Sequence, residues 1–177
     1  YSKDISAHDK QRIDRLVNSI LFLKKVKPFK ALSEEDIFKF YKIGADMNYY
    51  EGQKIFEENM EGDGFYIVLS GIVKIIKKGQ SREAKEETLA MIREGEFFGE
   101  MALLDDAKRS ATALAHKTTA VFIIRKDEFR KLMAEDNALA VQVLWVFIKT
   151  LCKRLRETDK KMADSFFSEY GLSDFMG

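Results

Sequence analysis

The stretch Phe65-Tyr66-Ile67-Val68-Leu69-Ser70-Gly71-Ile72-Val73-Lys74-Ile75-Ile76 decides the architecture of this chain. Two short runs rich in β-branched and aromatic side chains flank a Ser-Gly pair, and neither run is long enough for an ordinary helix. Glycine accepts positive φ without a Cβ clash, so Ser70-Gly71 reads as a tight hairpin turn between two strands. Working outward, runs of the same kind occupy Gln53–Phe56, Thr88–Ile92, Ala111–Ala115 and Thr119–Arg125, separated by glycine and polar turns. Lys77–Glu87 holds no large apolar residue and is expected to be a solvated loop. Many short strands with glycine turns argue for a small sandwich or barrel.

Helical spacing brackets this β-rich region. In His8–Leu23, residues Ile13, Leu16, Val17, Ile20 and Leu21 recur at steps of three and four, the pattern of an amphipathic helix. Pro28 ends or redirects what precedes it. Ser33 is placed to cap a helix whose inward residues are Ile37, Phe40 and Tyr41, and Gly44 stops it. Downstream, Lys126–Met133 reads as a short helix, followed by a long one from near Asn137 to about Lys161. Leu139, Val141, Val143, Leu144, Trp145, Val146, Phe147 and Ile148 make its first half apolar nearly all round, so cover on more than one side is expected. Ser165–Gly177 carries Phe166, Phe167, Tyr170 and Phe175 and reads as a short helix folding back on a neighbouring surface. The expected fold class is mainly β with flanking helices: a jelly-roll-like β-roll with N-terminal helices and a long C-terminal helix. It divides into an N-terminal helical extension over residues 1–28, a domain with its C-terminal helix over 29–162, and a tail over 163–177.

Chemistry concentrates between Phe97 and Thr112. Gly99 beside Glu100 lets backbone approach a ligand while the carboxylate accepts hydrogen bonds. Met101-Ala102-Leu103-Leu104 suits one short helical turn whose free amides face an anion. Arg109 follows with a planar donor fork, and Ser110 adds a hydroxyl beside exposed backbone N–H. This set suits a ligand with one phosphate and a ribose or vicinal hydroxyl. A charge-assisted Arg–phosphate bond contributes roughly 1.5–3 kcal/mol, so Arg109 alone shifts affinity by about tenfold to a hundredfold.

Phe98-Gly99-Glu100-Met101-Ala102-Leu103, then Arg109-Ser110-Ala111-Thr112, resembles the phosphate-binding cassette of the cyclic-nucleotide-binding domain family. That family includes bacterial catabolite activators, regulatory subunits of cAMP-dependent protein kinase and cyclic-nucleotide-gated channels. Gly52–Phe56, Phe65–Val73 and Gly95–Glu100 resemble other glycine-marked units of the family, so the likeness runs from about Phe29 to Thr158. The resemblance implies cAMP or cGMP as ligand. It gives Glu100 the ribose 2′-hydroxyl, and it gives Gly99 and Ala102 backbone amides toward ligand oxygens. Arg109 takes the cyclic phosphate with help from Ser110 and the amide of Ala111. Phe98 and Met101 belong to the same cassette, and Ile75 and Leu89 match positions on the sugar and base side. Lys108 stands where many members have proline. Ser110 follows the arginine where threonine commonly accompanies cGMP, which favours cAMP. Lys153–Thr158 resembles the stretch that caps the base in the catabolite activators, making Thr158 a candidate cap. Trp145 is the rival, because an indole stacks on a purine, although its place in the apolar half of the helix suits core packing better.

Composition narrows the remaining classes. Among 177 residues, 46% are apolar and 33% charged, the profile of a soluble globular domain. Thirty basic against twenty-nine acidic side chains leave a charge of +1, so there is no global pull toward nucleic acid or an anionic membrane. Cys152 is the one cysteine, and no Cys/His cluster suggests a metal. A cytoplasmic setting is expected, with no cofactor beyond the nucleotide ligand. His8 and His116 lie far apart and read as surface residues, and no serine or cysteine sits in a nucleophile motif, so catalysis is not expected. After Thr158 the sequence holds no helix-turn-helix, so this stretch is not expected to contact DNA itself. Two readings follow: a sensor that moves its C-terminal helix to signal to a downstream protein, or a dimerisation scaffold that kept the fold without the ligand. The near-continuous apolar first half of the long helix fits a homodimer under either.

Overall fold

Side-chain alternation along Gly64–Ser70 sets the layering. The computed structural model describes residues 6–26, 29–78 and 86–169. Its elements run α1 (Ala7–Lys25), α2 (Glu34–Ile43), β1 (Gly44–Tyr49), β2 (Lys54–Phe56), β3 (Gly64–Ser70), β4 (Ile72–Lys78), β5 (Glu86–Arg93) and β6 (Phe97–Phe98). There follow α3 (Met101–Leu104), β7 (Thr112–Ala115), β8 (Thr119–Arg125), α4 (Lys126–Glu135) and α5 (Asn137–Glu169). The strands form two antiparallel sheets, ordered β1-β8-β3-β6 and β2-β7-β4-β5. Because successive residues of a strand face opposite ways, β3 sends Phe65 and Ile67 toward the helices but Tyr66 and Val68 toward the second sheet. In β8, Phe122 and Ile124 face the helices, and Val121 and Ile123 face the other sheet. The order is therefore helices, sheet, sheet: the β-roll with flanking helices and a long C-terminal helix that the sequence implies.

Ser33 caps α2 as read, its Oγ accepting from the Asp36 amide at 3.1 Å. Ser70-Gly71 is not a hairpin turn. β3 pairs with β6 and β8 while β4 pairs with β5 and β7, so the chain crosses between sheets there. Gly71 has φ +89°, and a Cβ would lie 2.4 Å from the Thr118 carbonyl oxygen, so glycine is required by both conformation and space. The expected loop Lys77–Glu87 is shorter than read, since Lys77-Lys78 end β4 and Glu86-Glu87 begin β5. Residues 79–85 of it, and Pro28, lie outside the described residues. β1 and the two-residue β6 were missed in the periodicity, the first because its polar Asp46 and Asn48 interrupt the apolar run.

Two helices depart further. Along α1 the buried side is Leu23, with Val26 following, and Ile20 and Phe22 packed beside them. Ile13, Val17 and Leu21, read as the inward stripe, are about half exposed. In α5 only Leu139, Val143 and Phe147 of the apolar first half are buried, whereas Val141, Leu144, Trp145 and Ile148 face outward. α5 also continues through Ser165 to Glu169, where a separate folded-back helix was expected to begin. Tyr170 and Phe175 lie outside the described residues. Among the described residues, no helix is long and apolar enough to cross a membrane.

Candidate ligand-binding site

The segment between β6 and β7 lines one side of a cavity of about 250 Å³. Phe98, Gly99, Glu100, Met101, Ala102, Arg109, Ser110 and Ala111 all line it, as do Ile75 and Leu89 across from them. The cassette residues expected to contact the ligand thus meet in one place, together with the two wall positions, whereas Leu103 of the quoted stretch packs into the helix-side core. Thr158 reaches the same cavity from α5. Trp145 does not: it is 58% exposed on the outward side of α5 and lines no part of the cavity. It is neither a base cap nor a packed core residue. The helical phase explains this, since Trp145 lies two residues from buried Val143 and Phe147, a half-turn from the side that packs. Lys108 is exposed outside the lining, and His116 is exposed as expected.

Arg109 is buried to 2% exposure and held on several sides. Its Nη1 donates to the Gly99 carbonyl at 2.7 Å, and Nη2 donates to the Gly64 carbonyl at 2.7 Å and to Asp63 Oδ1 at 2.8 Å. The guanidinium lies 4.0 Å from the Phe56 ring centroid, a cation–π contact that also fixes its plane. Backbone bonds anchor the residue too: its amide donates to Met60 O and its carbonyl accepts from Asn59 N. Gly99 has φ +81°, and a Cβ there would stand 2.7 Å from Arg109 Nη1, so the glycine makes room for the guanidinium itself. Nε of Arg109, pinned this way, is buried without a partner.

Glu100 is as deeply buried, at 1% exposure. Its Oε1 pairs with Arg154 Nη1 from α5 at 2.5 Å, and Arg154 Nη2 donates to the Phe97 carbonyl. Oε2 has no partner. Among the described residues, Glu100 Oε2 and Arg109 Nε are the buried side-chain polar atoms left unpaired. A buried polar group left this way costs about 1–3 kcal/mol or more when charged, so two around one cavity mark it as shaped for a polar guest. The acceptor suits a hydroxyl; the donor suits an anion.

The neighbours tune this site. Asp63 bridges Arg109 to Arg125 Nη1 at 2.8 Å and accepts from the Tyr66 hydroxyl at 3.1 Å. Burial, then the nearby Asp63 carboxylate, pushes the Tyr66 phenol well above its usual range, so it stays a neutral donor. At the mouth, Arg154, Glu157, Thr158 and Lys161 recur at helical steps along α5 and all line the cavity. Thr158 Oγ1 donates to the Arg154 carbonyl at 3.0 Å, which leaves the hydroxyl oxygen able to accept, and Lys161 Nζ donates to Leu89 O at 3.1 Å. The sequence reading gave no role to Asp63, Phe56 or Arg154. The first two precede or end strands and carried no signal. Arg154 stood in the stretch quoted for Thr158, one turn before it, where a fixed cation facing Glu100 could have been inferred.

The sequence pattern of the family described as "Cyclic nucleotide-binding domain" matches residues 46–136. The chain is 34% identical over 112 residues to a cAMP-dependent protein kinase regulatory subunit of Debaryomyces hansenii, covering 63% of this chain and 24% of that protein. It is 33% identical over 132 residues to the cGMP-dependent protein kinase egl-4 of Caenorhabditis briggsae, covering 73% of this chain and 17% of that one. The crystal structure of the catabolite activator protein of Thermus thermophilus superposes with a TM-score of 0.69 at 29% identity, over 81% of this chain and 64% of that chain. The chain therefore spans a quarter or less of the length of these two kinase-related relatives.

Proposed function

We propose, from the premise that this chain belongs to the cyclic nucleotide-binding domain family, that its cavity binds a cyclic nucleotide, with cAMP preferred to cGMP, and that α5 carries the response. The observation that carries this reading is the pair of buried, unpaired atoms, Glu100 Oε2 and Arg109 Nε, on one cavity. A ribose 2′-hydroxyl donating to Oε2 leaves the Arg154 ion pair on Oε1 intact. A cyclic phosphate accepting from Nε leaves the other Arg109 bonds in place. Neither contact breaks a hydrogen bond that Glu100 or Arg109 already makes. The Ser110 hydroxyl and Ala111 amide complete the phosphate side, and Ile75 and Leu89 receive the sugar and base. Thr158 offers an acceptor to an exocyclic amine such as that of adenine. Serine at 110 supports cAMP on the family pattern; the relatives include kinases of both nucleotides and do not choose.

The ligand shifts α5 only as far as it binds one arrangement better than another. Contacts from Arg154, Glu157, Thr158 and Lys161 supply that difference. On the other side of α5, Val141, Trp145, Ile148, Cys152, Leu155, Asp159, Met162 and Phe166 follow one another by alternate steps of three and four, all exposed. Such spacing is a coiled-coil seam, and it supports pairing with a second copy. A cytoplasmic, non-catalytic regulatory role, passing its signal through that pair or to a downstream protein, completes the reading.

Calorimetric titration with cAMP and cGMP in parallel tests it. At one hundred times its dissociation constant a nucleotide stabilises by about 2.7 kcal/mol, a rise of about 5–10 °C in Tm for a chain of this size. Absence of heat and of a melting shift with both nucleotides would overturn the sensor reading and leave the scaffold. Pairing has its own test. Leu155→Glu, on an exposed seam position, is expected to convert dimers to monomers in sedimentation without loss of helicity. Truncation before α5 cannot serve, because it removes Leu139, Val143 and Phe147 from the core.

A further inference from the structure

Met101 opens the short turn α3 directly after Glu100. Among the described residues it is the methionine that both lines the cavity and remains open to solvent, at 47% exposure. Met47, Met60 and Met162 are exposed too, but they lie outside that lining. A thioether is a weak acceptor, and the Met101 sulfur takes the Ser110 hydroxyl at 3.9 Å. Among the described residues this is the hydrogen bond that hydroxyl donates. Ser110 follows Arg109, whose buried Nε is unpaired, and both residues line the cavity. The sulfur therefore shares a donor with the place where an anion would sit.

We propose that Met101 is a modification site, at which a peroxide oxidises the thioether to a sulfoxide that weakens anion binding in the cavity. The inference rests on the reading that the cavity takes a cyclic nucleotide. In the step, a sulfur lone pair attacks one oxygen of hydrogen peroxide and the O–O bond breaks as the S–O bond forms. The transferred oxygen gives up its proton and the departing hydroxide takes it, leaving as water. Sulfur is oxidised by two electrons and the peroxide is reduced by two, so no further reactant is needed.

The direction of the effect follows from the geometry. A sulfoxide is polar where a thioether is apolar. Its oxygen, one bond out from a sulfur already 3.9 Å from Ser110 Oγ, comes within ordinary hydrogen-bond distance of that hydroxyl. The Ser110 hydroxyl then turns to the sulfoxide, and the phosphate loses a donor. The negative end of the S–O dipole also stands on the anion side of the cavity. Losing one hydrogen bond to a charged oxygen lowers affinity by about tenfold. Met60 has no such route: its sulfur accepts from the Glu57 amide at 3.4 Å, away from Ser110. A nucleotide in the cavity covers the Met101 thioether and leaves Met60 and Met162 open, so occupancy protects one methionine selectively.

The test uses the full chain with the exposed thiol removed by Cys152→Ser. The protein is treated with hydrogen peroxide with and without saturating cAMP, oxidation is mapped by peptide mass spectrometry, and cAMP affinity is measured by calorimetry. Met101 is expected to oxidise in the free protein and to be protected by cAMP, while Met60 and Met162 oxidise alike in both. The oxidised protein is expected to bind cAMP about tenfold more weakly and to recover on treatment with methionine sulfoxide reductases. Met101→Leu, whatever its own affinity, should lose nothing further to peroxide, and Ser110→Ala should lose much less than the parent does. Met60→Leu should show the full loss. Oxidation of Met101 with unchanged affinity overturns the proposal, as does a Met101→Leu protein that remains as sensitive as the parent. So does a Met101 that stays reduced in the free protein while Met60 and Met162 oxidise, or a full loss in Ser110→Ala. A parent that binds no cAMP before peroxide is added counts against the cavity reading itself.

Discussion

Phe97 and Phe98 are adjacent in sequence and belong to opposite kinds of interior. Phe97 is packed with Phe65 and Phe147 at centroid distances of 6.4 and 5.2 Å, in a cluster that Phe129 completes. Phe98 faces the other way, stacked on Tyr66 at 5.1 Å and lining the cavity with Arg109 and Glu100. The first region is apolar and closed, and its atoms ask for nothing more. The second keeps a buried carboxylate oxygen and a buried guanidinium nitrogen unpaired. The difference teaches that stability and recognition are divided across a single sheet, with the closed side offsetting the incompleteness of the open one.

The sharpest way to break this division is Phe65→Ala. Emptying a buried phenylalanine site costs about 3–5 kcal/mol, a fall in Tm of roughly 6–20 °C, and cAMP affinity measured well below the transition should be unchanged. Arg109→Lys asks the converse question. It keeps a positive charge and loses the fork, so affinity should fall by about tenfold to a hundredfold, with a smaller loss of Tm than Phe65→Ala; equal losses of Tm would show the two regions to be one. Glu100→Gln preserves shape but turns a charged acceptor neutral and loosens Arg154. An affinity loss of about fivefold is expected, read by titration.

The smallest effect is with pH. The Arg130 and Lys126 cations hold the Asp106 carboxyl down at about 2, below its ordinary 3.8. Since the folded value is the lower one, this stabilisation is present above pH 3.8 and fades as pH falls toward 2. Asp36 and Asp136, also shifted down, act in the same direction; hydrogen bonds from Ser33 and Lys39 outweigh burial at Asp36, and the Leu139 amide and Lys39 act at Asp136. Melting curves over that range should show a shallower acid loss in Asp106→Asn than in the parent, whereas Phe65→Ala should shift every curve by a similar amount.

Legibility from sequence followed the same line. The cassette could be read residue by residue because its chemistry is local: Gly99, Glu100, Arg109 and Ser110 lie within twelve positions and all reach one cavity. Strands with uninterrupted β-branched runs were equally plain. What failed was whatever depends on a distant partner. Ser70-Gly71 looks like any hairpin turn until it is known that its two strands belong to different sheets. The phase of α5 could not be read where apolar residues surround it, so Trp145 was given two inward places, packed in the core or against the base, when it faces outward. Asp63 and Arg154 acquire their roles only from groups 46 and 54 positions away.

α5 runs 33 residues as a single helix from its cap at Asp136. At 1.5 Å per residue it is a rod of about 50 Å, held at its start where Lys39 and Asp136 meet. A tilt of about five degrees there carries Arg154 by roughly 2 Å, enough to part it from Glu100, and carries the far end by roughly 4 Å. In a rod of this length, a displacement no larger than a broken hydrogen bond at the cavity would be about twice as large at the distal turns.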